Sequence, residues 1–110
     1  MSKSILRDRS YQFAIDIVKF CQILQLDSKE YIISKQLIWS GTSIGVNLSE
    51  AQFGQSEADF IHKISIALKA ANETAYWLKL THDTQEKLDP VLLSRLCAEC
   101  NDGMGILLHG

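Results

Sequence analysis

Little in this sequence breaks a helix. One proline and six glycines stand in 110 residues, which excludes a collagen-like or a proline- and glycine-rich disordered chain. Three cysteines are too few for a disulfide-dense mini-protein, and their odd number argues against a disulfide framework. Charge of one sign is also lacking: Lys plus Arg is 11 and Asp plus Glu is 13, a formal net charge of -2. Tight non-specific nucleic-acid binding needs a basic footprint that this balance does not provide. No window of eighteen apolar residues occurs, so no transmembrane helix is expected. The stretch from Met1 to Arg9 lacks the apolar segment of a signal peptide. Cys21, Cys97 and Cys100 therefore read as reduced thiols, and the expected compartment is the cytoplasm. What is abundant is apolar surface. At 46% hydrophobic residues and 12.4 kDa, the chain reads as a single domain with a real core.

Four apolar patterns at helical spacing follow one another in the order of the chain. The first runs from about 9 to 25 on Ala14, Ile17, Val18, Cys21 and Leu24. The second, about 28 to 53, is expected to open with Asp27 as a cap, Glu30 completing a capping box and Leu26 and Tyr31 forming a staple. Gly54 stands where a left-handed stop would end it. The third, about 57 to 80, is capped by Ser56 with Asp59 three residues on. Its face is Phe60, Ile61, Ile64, Ala67, Leu68, Ala71, Ala75 and Leu78. Polar residues from Thr81 to Lys87 read as a loop. The fourth, about 90 to 108, opens at Asp89 with Pro90 in the first helical position, where proline removes no hydrogen bond. Its face is Leu93, Cys97, Cys100, Met104 and Leu107. The fold class is all-α, an up-down four-helix bundle occupying 1–110.

The second and third helices carry more apolar surface than a lone bundle uses. Ile33, Leu37, Gly41, Ile44, Leu48 and Ala51 form one stripe of the second helix. Ile32, Trp39, Val46 and Phe53, spaced by sevens, form another on roughly the opposite side. Behind the main face of the third helix lie Ile66, Ala70 and Trp77. Extra stripes of this size imply self-association, with Ile32, Trp39, Val46, Phe53, Ile66 and Trp77 in the subunit interface. Asn47, Glu50, Asn72 and Glu73 lie within or beside these apolar stretches. They are read as a polar network that fixes register, or as a partner site, since a buried carboxylate must be paired.

Motifs with chemical associations fail on context. Gly41-Thr42-Ser43-Ile44-Gly45 matches the nucleophile elbow G-x-S-x-G, but that elbow needs a strand-to-helix turn and here both flanks are helical. The two glycines instead allow a neighbouring helix to approach. Cys97-Ala98-Glu99-Cys100 lacks a second ligand pair for zinc and lies mid-helix, away from the helix start a redox pair requires. No Glu is followed by His three residues on, so the di-iron pattern of helical bundles is missing. His62, His82 and His109 read as solvated or partner-facing. No catalytic residue, cofactor or metal is expected.

The run from Ser34 through Gly41-Thr42-Ser43-Ile44-Gly45-Val46-Asn47-Leu48-Ser49-Glu50-Ala51 resembles the bacterial four helix bundle protein family, also called the 23S rRNA-intervening sequence protein family. Ser56 to Phe60 and Ile66 to Leu78 continue the likeness, which spans about Ser10 to Leu80. Ala51 departs from the Asn-x-x-Glu-Gly signature of part of that family. The resemblance implies an antiparallel bundle assembling as a homopentamer. Some members are encoded within intervening sequences of ribosomal RNA genes. A related, strongly basic protein is an RNA- and protein-binding accessory subunit of reverse transcriptases. Here residues 1–28 carry a net +1, 29–80 balance, and 81–110 carry a net -3. The expected function is a non-enzymatic oligomeric scaffold with an RNA or protein partner and no membrane. The alternative is a nucleic-acid-binding accessory subunit. An enzyme using Glu50 and Glu73 as an acid/base pair ranks last.

Overall fold

The computed structural model describes residues 3–109, with side chains described for 5–105. Regular structure among them is entirely helical: α1 (Lys3–Asp27), α2 (Ile32–Ala51), α3 (Glu57–Thr84) and α4 (Pro90–His109). At 28 residues α3 is about 42 Å long, and the longest dimension of the molecule is 46 Å. The helices therefore lie along the long axis. α2 packs against α1 and α3, α4 packs against α3, and a thinner contact between α1 and α4 closes the circuit.

Helix ends show where local sequence wins and where it loses. Ser56 caps α3 as expected, its hydroxyl accepting from the Asp59 amide at 3.1 Å. Asp89 caps α4, its carboxylate accepting from the Val91 amide at 2.9 Å. The start of α2 differs. Asp27 is the last residue of α1, and α2 begins only at Ile32. Lys29 adopts a positive φ of 51°, and the Glu30 amide reaches back to the Leu24 carbonyl at 2.9 Å. That bond closes α1 as a left-handed stop, so Asp27 cannot cap the next helix. The Glu30 carboxylate does so instead, accepting from the amides of Ile32 and Ile33 at 2.7 Å each.

Gly54 is not left-handed: no glycine has a positive φ among the described residues. α2 ends by tightening, with amides of Gln52, Phe53 and Gly54 each bonding the carbonyl three residues back. Gly54 is small for a spatial reason. A Cβ there would lie 3.2 Å from the Ala51 carbonyl and 3.3 Å from an Asp59 carboxylate oxygen.

The expected loop at Thr81 is also helical, and α3 continues to Thr84. Thr81 and Thr84 place their hydroxyls on the carbonyls of Trp77 and Leu80, both at 2.7 Å. Satisfied within the helix, a threonine can be buried, and Thr81 is. α1 starts six residues earlier than the apolar spacing suggests, because Leu6 still packs against the core.

The core draws on all four helices. Phe13, Ile17, Phe20, Cys21 and Leu24 come from α1, and Leu37, Ile44 and Leu48 from α2. Ala67, Ala70, Ala71 and Leu78 come from α3, and Leu93, Leu96 and Cys100 from α4. Gly41 brings α1 and α2 together: a Cβ there would lie 2.9 Å from Ile17 Cγ2. Gly45 is less crowded, with its nearest would-be neighbour, the Ser10 hydroxyl, at 3.5 Å. Between α2 and α3 the core holds a hydroxyl pair. The Thr74 hydroxyl lies 3.0 Å from that of Ser40 and 2.8 Å from the Ala70 carbonyl.

Candidate functional site

The second stripe of α2 is bare. Ile32 is 76% exposed, Trp39 77%, Val46 55% and Phe53 81%, while Leu37, Gly41, Ile44 and Leu48 on the same helix are buried. A seven-residue step is two turns less about 20°, so these four side chains line one edge of the helix. At 100° per residue Trp39 stands about 160° from the centre of the buried arc.

The third helix departs from the expectation of a matching bare stripe. Ala70 is a core residue, and Ile66 and Trp77 are half-buried. The reason is angular: Ala70 lies about 50°, Trp77 about 70° and Ile66 about 90° from the centre of the buried arc. They form a flank. Trp77 meets the exposed Tyr76 ring edge to face, with centroids 5.2 Å apart. Ile61, assigned to the core face by its spacing, is exposed.

The four polar candidates occupy different settings. Asn47 is half-buried, its amide donating to the Ser43 carbonyl at 2.8 Å and the Ser43 hydroxyl at 3.1 Å. Glu50 is exposed and joins the end of α2 to the start of α3 by a 2.8 Å pair with Lys63. The Glu50 carboxylate, as hydrogen-bond partner, raises the Lys63 pKa. Asn72 and Glu73 are both exposed. Neither carboxylate is buried, so the cost that would demand a buried partner does not arise. Glu73 lies ten residues beyond Lys63, about 15 Å along α3. The structure does not bring Glu50 and Glu73 together as an acid/base pair.

A shallow groove of about 760 Å³ between α1 and α2 does gather two of the predicted residues. Val46 and Glu50 line it with Tyr11, Ala14, Thr42 and Gly45. Tyr11 is exposed and was not part of the sequence-derived stripe. Its signal in the sequence is weak, because the apolar spacing of α1 points to the opposite face, where Phe13 and Phe20 are buried.

The thiols are core groups. Cys21 donates to the Ser34 carbonyl at 3.4 Å and Cys100 to the Ala71 carbonyl at 3.1 Å. Burial pushes both up to about 12; such thiols stay protonated and poorly nucleophilic. Burial also raises Cys97, which is half-buried. His62 and His82 are exposed, and the His109 side chain lies outside the described residues. The His82 ring nitrogen 3.1 Å from Asp83, followed by Lys79, holds the Asp83 carboxyl below its ordinary value. Among the described residues no group of three His, Cys, Asp or Glu could hold a metal ion. No helix there is long and apolar enough to cross a membrane.

The profile of the 23S rRNA-intervening sequence protein family matches residues 2–105. The chain belongs to that family. Membership thus extends past the Ser10–Leu80 likeness into α4. A solved relative agrees with it in fold. The crystal structure of a protein of unknown function from the S23 ribosomal protein family of Bacteroides thetaiotaomicron superposes with a TM-score of 0.92. It is 41% identical, and the likeness covers 98% of this chain and 96% of that one. No curated protein matches the chain. Within the 23S rRNA-intervening sequence proteins, this one shares its fold with a relative whose own function is unknown.

Proposed function

We propose that this protein is a non-enzymatic oligomeric scaffold of the cytoplasm. In this reading the helices form an antiparallel up-down bundle, and copies of it assemble as a homopentamer presenting a composite surface to a protein or RNA partner. The supporting observation is the exposed line of Ile32, Trp39, Val46 and Phe53, which takes no part in the core formed by the described residues. Contiguous apolar surface of this kind is commonly covered by an interface, and closed symmetry covers it on every copy. Ile66 and Trp77 contribute a half-buried flank, and Asn47, Glu50, Asn72 and Glu73 fall at the polar margin. The ring of five rests on the family resemblance.

The nucleic-acid reading draws support from the family's association with 23S rRNA intervening sequences. The net charge of -2 leaves it second, because phosphate contacts require Lys and Arg. Native mass spectrometry of gently purified protein separates the readings. The expected mass is five protomers of 12.4 kDa, reduced to one protomer by Trp39→Asp while the far-ultraviolet helical signal persists. A wild-type monomer, or a variant of unchanged mass, would overturn the assignment of this stripe. Additional mass sensitive to ribonuclease and to salt would promote the RNA reading over the protein-scaffold one.

A further inference from the structure

We propose that the cavity at the α1–α4 seam is a binding site for a small apolar monocarboxylate. The cavity has a volume of about 190 Å³ and is bounded by all four helices. Its apolar wall is Leu6, Phe13, Ile44, Leu48, Ala71 and Gly103. It opens where the fold is thinnest, along the slight contact between α1 and α4. Native interiors leave few voids larger than a water molecule. Enclosed apolar cavities of about 150 Å³ accept benzene-sized guests, and this one, open at its polar rim, has a comparable volume. This space therefore suits one six-membered ring, or a branched chain of similar bulk.

The charge class follows from which polar groups at the wall are already used. The Ser10 hydroxyl donates to the Arg7 carbonyl at 2.8 Å, and the Gln12 amide donates to Asp16 at 3.1 Å. The Cys100 thiol donates to the Ala71 carbonyl, and Glu99 pairs with Arg95 at 3.8 Å. Arg9 also lines the cavity, is exposed, and has no ion-pair or hydrogen-bond partner among the described residues. A guanidinium with five free donors matches a carboxylate in a bidentate arrangement. Glu99 at the same wall disfavours a second negative charge, so the guest carries one.

The test uses phenylacetate and its uncharged counterpart toluene, titrated into the intact protein with methyl resonances of Ile44 and Leu48 observed. Both probes should shift those signals. Arg9→Gln, a change at an exposed position, should weaken phenylacetate about tenfold and leave toluene unchanged. Gly103→Leu adds a side chain where a Cβ meets open space and should abolish both responses. Silence of both probes at millimolar concentration in the wild-type protein would overturn the site. Toluene binding without a phenylacetate preference that depends on Arg9 would overturn the carboxylate assignment. Both readouts are independent of oligomer mass, so they fail or succeed separately from the scaffold proposal.

Discussion

α2 carries two apolar lines of comparable length, and they have opposite fates. Leu37, Gly41, Ile44 and Leu48 are sealed against α1 and α3, while Ile32, Trp39, Val46 and Phe53 stand in solvent on the other side. The bulkier side chains are on the exposed line. Residue type alone thus does not say which line is core. The inner line is distinguished by what it lacks: Gly41 has no side chain, and Ile17 of α1 occupies the space. Close approach of a neighbour requires small residues, whereas a surface offered to another molecule gains from large, stiff ones.

The contrast can be broken most forcefully at its two ends. Leu37→Ala removes a fully buried side chain and should lower unfolding free energy by about 2–5 kcal/mol. Val46→Ala, with both changes made on the Trp39→Asp background that the proposed assembly would not survive, should change it by about 0.5 kcal/mol or less. Urea unfolding of the two variants measures the difference. Equal losses would mean that the outer line is packed within the protomer after all.

A smaller effect sharpens the role of the glycines. Gly41→Ala places a methyl group 2.9 Å from Ile17 Cγ2, and overpacking of this kind costs about 1–3 kcal/mol. Gly45→Ala meets only ordinary contacts, the nearest at 3.5 Å. It should gain up to about 1 kcal/mol from helix propensity. Opposite signs in the same urea assay would confirm that one glycine is required by α1 and the other is not.

A further test extends the comparison to the thiols, which sample both environments. Iodoacetamide at pH 8 should label half-buried Cys97 well before Cys21 and Cys100, as read by peptide mass spectrometry. The two buried thiols also predict a pH dependence. Their pKa values rise from 9.0 to about 12 on folding. Above pH 9 the unfolded chain therefore binds fewer protons than the folded one, and stability falls as pH climbs towards 12. Thermal midpoints at pH 8, 9.5 and 11 should decline in that order. A flat profile would place these thiols in water.

Capping chemistry was legible wherever it was strictly local. Ser56 with Asp59, and Asp89 with Pro90, depend on groups within three residues of each other. It misled where two local solutions competed. Asp27 and Glu30 are both adequate caps, and the left-handed turn at Lys29 decided between them. Thr81 illustrates the same limit. A run of polar residues reads as a loop, yet the Thr81 hydroxyl bonds within its own helix and the side chain can be buried. Of the candidate site, the α2 line was fully visible as a seven-residue spacing. The α3 line was not: Ala70, Trp77 and Ile66 lie at intermediate angles, where neighbours rather than periodicity determine burial.

The sequence by itself determined four helices, most of their apolar faces and the surplus of apolar surface on α2. Each of these follows from spacing along a single helix, and helical geometry is the same in every fold. The tertiary structure alone decided that α1 approaches at Gly41, that Ser40 meets Thr74 and that Glu50 pairs with Lys63 and stands apart from Glu73. It also decided that a cavity remains beneath Arg9 and Glu99. These are relations between segments far apart in the chain. They depend on how helices are offset and inclined against one another, and no periodicity within one helix encodes that offset.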